Sequence, residues 1–139
     1  MRLAASLRYS LYGLIAALFA SGAAWLVVRY GAPSPFGGSR WSAISMQVHG
    51  AAAMATLVLI GCAMALHTKK AWRERRNLAS GIALSGTLLS IVVTGYLLYY
   101  LGEDTARSAA SAAHWLIGLA APVVLAWHAL TGQRSSANR

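Results

Sequence analysis

Long apolar runs alternate with short polar clusters along the 139 residues, and the pattern predicts four helices over about 10–28, 43–67, 78–101 and 108–130. About 20 apolar residues, at 1.5 Å of rise each, cross a hydrocarbon core of roughly 30 Å, so each run is long enough to span a membrane. The first run follows Arg2 and Arg8, and holds Ala20, Ser21, Gly22 and Ala23, small residues of the kind found at signal-peptide cleavage sites. It continues through Trp25, Leu26, Val27 and Val28, beyond the apolar core of a signal peptide, and is read as a retained helix.

The segment 29–42 carries Gly31, Pro33, Pro35, Gly37 and Gly38 among Tyr30, Phe36 and Trp41, and reads as an interfacial loop. In the second run, Gly50 and Ala51 to Ala53 offer a smooth surface for a neighbouring helix or a flat cofactor. Gly81 and Ser85 predict a close-packing seam in the third run, which closes on the interfacial belt of Tyr96, Tyr99 and Tyr100. Pro122, in the fourth, removes the hydrogen bond to the Gly118 carbonyl and predicts a kink.

Composition agrees with the pattern. The chain is 58% hydrophobic and 11% charged, where a soluble domain carries about a quarter charged residues. The fold expected is all-α, a single integral membrane four-helix bundle with lipid as its solvent. The net charge of +9 does not point to nucleic acid, because the cations flank apolar runs. With four spans, Arg2, Arg8, Lys69, Lys70, Arg73, Arg75, Arg76, Arg134 and Arg139 share one side, against Arg29, Arg40 and Arg107 on the other. The positive-inside rule then places both termini in the cytoplasm, as for a multi-pass protein of a bacterial inner membrane.

Four histidines carry the candidate chemistry: His49 and His67 in the second run, His114 and His128 in the fourth. The intervals are 18 and 14 residues. At about 100° per residue these are roughly five whole turns, and about 40° short of four, so each pair lies on one helical stripe. The pairs are separated by roughly 27 Å and 21 Å along their helices. The second and fourth spans run parallel in the predicted topology, which puts His49 and His114 near the outer face and His67 and His128 near the inner face. Ionisable side chains inside a membrane are costly and usually functional. The expectation is two non-covalent b-type hemes, each held by two imidazoles: His49 with His114, and His67 with His128. Cys62 is the only cysteine and no Cys-x-x-Cys-His is present, so covalent c-type attachment is not expected.

Such a site needs a neutral ring nitrogen on each side of the iron, and a partner for each ring's other N–H. Gly50, beside His49, and Gly118, one turn beyond His114, would let a bulky ring approach the backbone. Arg40 is the first candidate for a propionate partner, followed by Arg107 outside and Lys69, Lys70 and Arg73 inside. The four-residue difference between the intervals, about 6 Å of rise, has to be absorbed by tilt, kink or slanted ligation. It falls mainly on His67, at the end of its run. Met64, the alternative ligand there, lies about 60° off the His49 stripe.

Two histidines on the second helix and two on the fourth resemble the ligation plan of diheme b cytochromes, such as the cytochrome b of quinol–cytochrome c reductases. That family uses near-equal intervals, so the 18 here is a departure. The four-span format resembles the cytochrome b subunits of formate dehydrogenases and nickel–iron hydrogenases, and above all the related flavinylation-associated cytochromes. The likeness is carried by the stretch 94–101 (Thr-Gly-Tyr-Leu-Leu-Tyr-Tyr-Leu), the stretch 114–118 (His-Trp-Leu-Ile-Gly) and His128. It implies electron transfer between a quinone pool and an extracytoplasmic partner, a periplasmic cytochrome or flavoprotein. The chain would be a respiratory subunit, not a stand-alone enzyme, with quinone near Tyr99 and Tyr100 or near Tyr9 and Tyr12. Two other classes stay open: a transporter or metal-handling protein using the histidines, disfavoured because no Asp or Glu lies inside a span, and a non-redox scaffold subunit.

Overall fold

The four apolar runs form four α-helices: α1 (Ala5–Gly31), α2 (Arg40–Ala63), α3 (Leu78–Tyr100) and α4 (Asp104–Ala137). The computed structural model describes residues 5–31, 40–64 and 77–137, with side chains as far as residue 134. Every regular element among these residues is helical. All four helices are long and apolar enough to cross a membrane.

Three helices extend past an expected end of their apolar runs. Helix α1 continues through Arg29, Tyr30 and Gly31, and α2 starts at Arg40, so both expected edges of the interfacial loop are helical. Helix α4 begins four residues before its expected start and continues past 130. An apolar run marks what lipid surrounds, whereas the backbone hydrogen-bond ladder continues wherever the next residue tolerates it. At the start of α4, the Glu103 carboxylate accepts the Thr105 N–H (2.8 Å) and the Ala106 N–H (2.6 Å), satisfying donors that a helix start leaves open. Pro122 lies inside α4, and the helix is unbroken on both sides of it. The expected end of the second span, at residue 67, lies outside the described residues.

Helix α1 packs on α2, and α3 on α4, giving two compact hairpin units. Among the described residues, the buried ones are Leu11, Ser21, Ala52, Thr56, Ser80 and Ala110. All but Leu11 are small or short, and three carry hydroxyls. Each of these hydroxyls donates to its own helix: Ser21 to Ala17 O (2.6 Å), Thr56 to Ala52 O (2.7 Å) and Ser80 to Asn77 O (3.2 Å). Hydrogen bonding within the helix offsets the cost of burying such hydroxyls, and their small size lets two backbones come close. Large apolar residues point outward instead: Met54, Val58, Leu89 and Val123 are 64–71 % exposed. Water would penalise such a surface, whereas lipid accepts it.

The α3–α4 connection is only Leu101, Gly102 and Glu103, so the two helices form a tight antiparallel pair. At the other end of the hairpin, Asn77 caps α3 in the left-handed region (φ 53°), which asparagine tolerates. Its carbonyl accepts the Gly81 N–H at 2.9 Å, which sets Ser80 in the first turn of α3. Of the expected Gly81–Ser85 seam, Gly81 lies against α4 and Ser85 does not. Ser85 is exposed, and Ser80 with Gly81 forms the close contact to α4.

Candidate functional site: histidines held by the preceding helix

In each hairpin, a histidine of the second helix reaches back to the first. His49 of α2 places Nδ1 3.0 Å from Leu18 O and 3.1 Å from Ser21 Oγ, both on α1. His114 of α4 places Nδ1 3.1 Å from Ile91 O and 3.1 Å from Thr94 Oγ1, both on α3. The two arrangements match part for part. The hydroxyl residue sits three positions after the carbonyl residue, and a glycine follows it. A Cβ on Gly22 would lie 3.3 Å from His49 Cε1, and one on Gly95 would lie 3.1 Å from His114 Cε1. These glycines let the imidazole edge lie against the neighbouring backbone, an approach that alanine would crowd.

The contacts also assign a proton. A carbonyl oxygen only accepts, so Nδ1 of His49 and of His114 carries a hydrogen. The hydroxyls fit this assignment, because their own protons go to their own helices: Ser21 to Ala17 O or Leu18 O, Thr94 to Ser90 O or Ile91 O. Hydrogen bonding at Nδ1 fixes each ring's orientation, as the second-nitrogen contact of a metal-ligating histidine does.

His128 repeats the plan one level along the α3–α4 hairpin. Its Nδ1 lies 3.1 Å from Ser80 Oγ, and Ser80 Oγ is 3.0 Å from Thr131 Oγ1 on α4. A Cβ on Gly81 would lie 3.8 Å from His128 Cε1. Ser80 precedes Thr94 by the same 14 residues that separate His114 from His128. Antiparallel packing therefore brings both hydroxyl–glycine pairs of α3 opposite both histidines of α4.

The remaining candidates divide. His67, Lys69, Lys70 and Arg73 lie outside the described residues. Arg40 is the exposed first residue of α2, and Arg107 is exposed in the first turn of α4. Gly50 and Gly118 do not back a histidine; among the described residues nothing lies within 4 Å of a Cβ built on either, so both border open space. Tyr9, Tyr99 and Tyr100 are well exposed, at 64 %, 82 % and 70 %, as side chains of an interfacial belt are. Among the described residues, no three His, Cys, Asp or Glu side chains gather to hold a bare metal ion. A bis-imidazole heme asks for two protein donors only.

Ser21, Gly22, Ser80, Thr94 and Gly95 are the residues that sequence reasoning did not single out as a histidine support. A signal existed in the 14-residue echo between α3 and α4, but it is ambiguous by itself. Ser or Thr precedes Gly five times in the chain, and the Ser85–Gly86 pair faces open space.

Comparison with family models, curated proteins and solved structures gave no match. The functional reading therefore rests on the residues and their geometry.

Proposed function

We propose that this protein is a diheme b-type cytochrome that carries electrons across a bacterial inner membrane as a subunit of a larger redox assembly. The observation that carries the reading is the matched support of His49 and His114. Both rings are fixed at Nδ1 by a carbonyl and a hydroxyl of the preceding helix, an outer-shell arrangement typical of heme-ligating histidines. Topology deduced from the cations assigns these two to one heme near the outer face, with both termini cytoplasmic. His128 and His67 form the second pair, near the inner face, and the part of His67 rests on its spacing.

A bound heme supplies an iron centre that accepts and releases one electron at a time. The chain's own residues do the rest. His49, His114, His128 and His67 would offer Nε2 to the irons, and the carbonyls of Leu18 and Ile91 with the hydroxyls of Ser21, Thr94 and Ser80 hold the first three rings against rotation. The apolar helices surround the site with a low-dielectric medium. Gly50 and Gly118 leave room for a flat ring beside the ligands, and Arg40 would meet a propionate. Quinone in the membrane, and a periplasmic cytochrome or flavoprotein outside it, are the proposed exchange partners.

The test is optical. Protein purified from heme-replete cells shows reduced-minus-oxidised bands of a b-type cytochrome, with a pyridine hemochrome near two hemes per chain. Colourless, folded protein from such cells would sink the reading.

A further inference from the structure

We propose that the Ser21 and Thr94 hydroxyls are positioning residues that set the basicity and ring plane of His49 and His114, and through them the reduction potential of the heme these histidines share. The inference rests on the two-heme reading and adds what tunes that site.

The argument is one of counting protons. Each Nδ1 has a single hydrogen, and two acceptors lie within reach: Leu18 O at 3.0 Å and Ser21 Oγ at 3.1 Å for His49, Ile91 O and Thr94 Oγ1 both at 3.1 Å for His114. The hydroxyl protons are committed along their own helices, at 2.6 Å to Ala17 O and 2.7 Å to Ser90 O, so their lone pairs face the ring. Donating its proton to another helix carbonyl also makes each hydroxyl oxygen a better acceptor. Two acceptors drawing on one N–H push electron density toward Nε2, raise ligand basicity and favour the oxidised iron. The backbone carbonyls are present whatever the side chain. The hydroxyls are the part the sequence controls.

A hydroxyl in a membrane helix commonly bonds its own backbone and does nothing more. Thr87 shows that plain case on the same helix as Thr94, with Oγ1 donating to Ala83 O at 2.9 Å. Ser21 and Thr94 differ from it in two ways. Each meets a histidine nitrogen, and each occupies the same place, after the carbonyl residue and before the glycine, in its own hairpin.

The experiment uses the full chain, isolated with its heme in detergent, as wild type and as Thr94→Val, Ser21→Ala, Thr94→Ser and Thr87→Val. Potentiometric titration of the reduced band, low-spin electron paramagnetic resonance and heme retention are compared. Thr94→Val and Ser21→Ala are each expected to raise the potential of one and the same heme, to move its g values and to weaken its retention by about 10–100-fold. Thr94→Ser and Thr87→Val are expected to stay at wild type. Unmoved potentials in heme-loaded Thr94→Val and Ser21→Ala would overturn the hydroxyl assignment, and so would an equal shift in Thr87→Val. If Thr94→Val fails to fold, Ser21→Ala alone decides. A heme-free wild type overturns the two-heme reading itself, so the two failures are distinct.

Discussion

Gly95 and His114 meet edge to backbone across the α3–α4 seam, so closely that a Cβ on Gly95 would stand 3.1 Å from the ring's Cε1. A Cβ there would make the ring give by a few tenths of an ångström, and the same ring is held at Nδ1 by Ile91 O and Thr94 Oγ1. Gly95→Ala gains about 1 kcal/mol of helix propensity and loses about 1–3 kcal/mol to overpacking. The expected net is a chain of equal or lower stability that, on the proposed two-heme reading, retains one heme poorly. Gly86 has open space where its Cβ would go, so Gly86→Ala should stabilise α3 and leave both hemes in place. Thermal unfolding in detergent and a hemochrome count read both variants.

The proposed pairing makes a sharper claim about which heme is lost. His49→Ala and His114→Ala should each remove the same heme, leaving identical residual spectra, while His128→Ala removes the other. Different residual spectra for His49→Ala and His114→Ala would break the pairing.

Ser80 is the most buried side chain described, at 2 % exposure, and it joins His128 to Thr131 by contacts of 3.1 Å and 3.0 Å. Removing its hydroxyl takes one contact from each of two half-buried side chains, which costs about 0.5–1.5 kcal/mol. Ser80→Ala should therefore lower unfolding stability by that order. A double-mutant cycle with Thr131→Val should show a coupling of about 0.5–3 kcal/mol, because the two hydroxyls belong to one network. Strict additivity would show that they act separately.

At the head of α4, the Ala106 N–H, then the hydroxyl and N–H of Thr105, hold the Glu103 carboxyl below its ordinary pKa of 4.5. A depressed folded-state pKa stabilises the cap above the ordinary value, and the contribution is lost as pH falls through the folded one. Amide exchange at Thr105 and Ala106, followed in detergent on the acid side of 4.5, should accelerate as the carboxylate takes up its proton. Glu103→Gln should remove that pH dependence.

The sequence by itself determined the four helices, since their apolar runs are long enough to leave lipid as the only suitable surroundings. It also put His114 and His128 near one stripe of α4, because 3.6-residue periodicity needs no tertiary information, while the stripe expected for His49 and His67 ends outside the described residues. Helix ends escaped it: the backbone ladder at Arg40 and Asp104 continues beyond the residues that hydropathy marks, and Glu103 stops α4 from fraying. Only the tertiary structure decided which small residues matter. Gly50 and Gly118, close to the histidines in sequence, border open space, whereas Gly22 and Gly95, distant in sequence, lie against the rings. The reason is physical. A histidine's orientation is set by acceptors on the helix packed beside its own, and the register between two helices is fixed by how their small residues interlock, which no single stretch of chain contains.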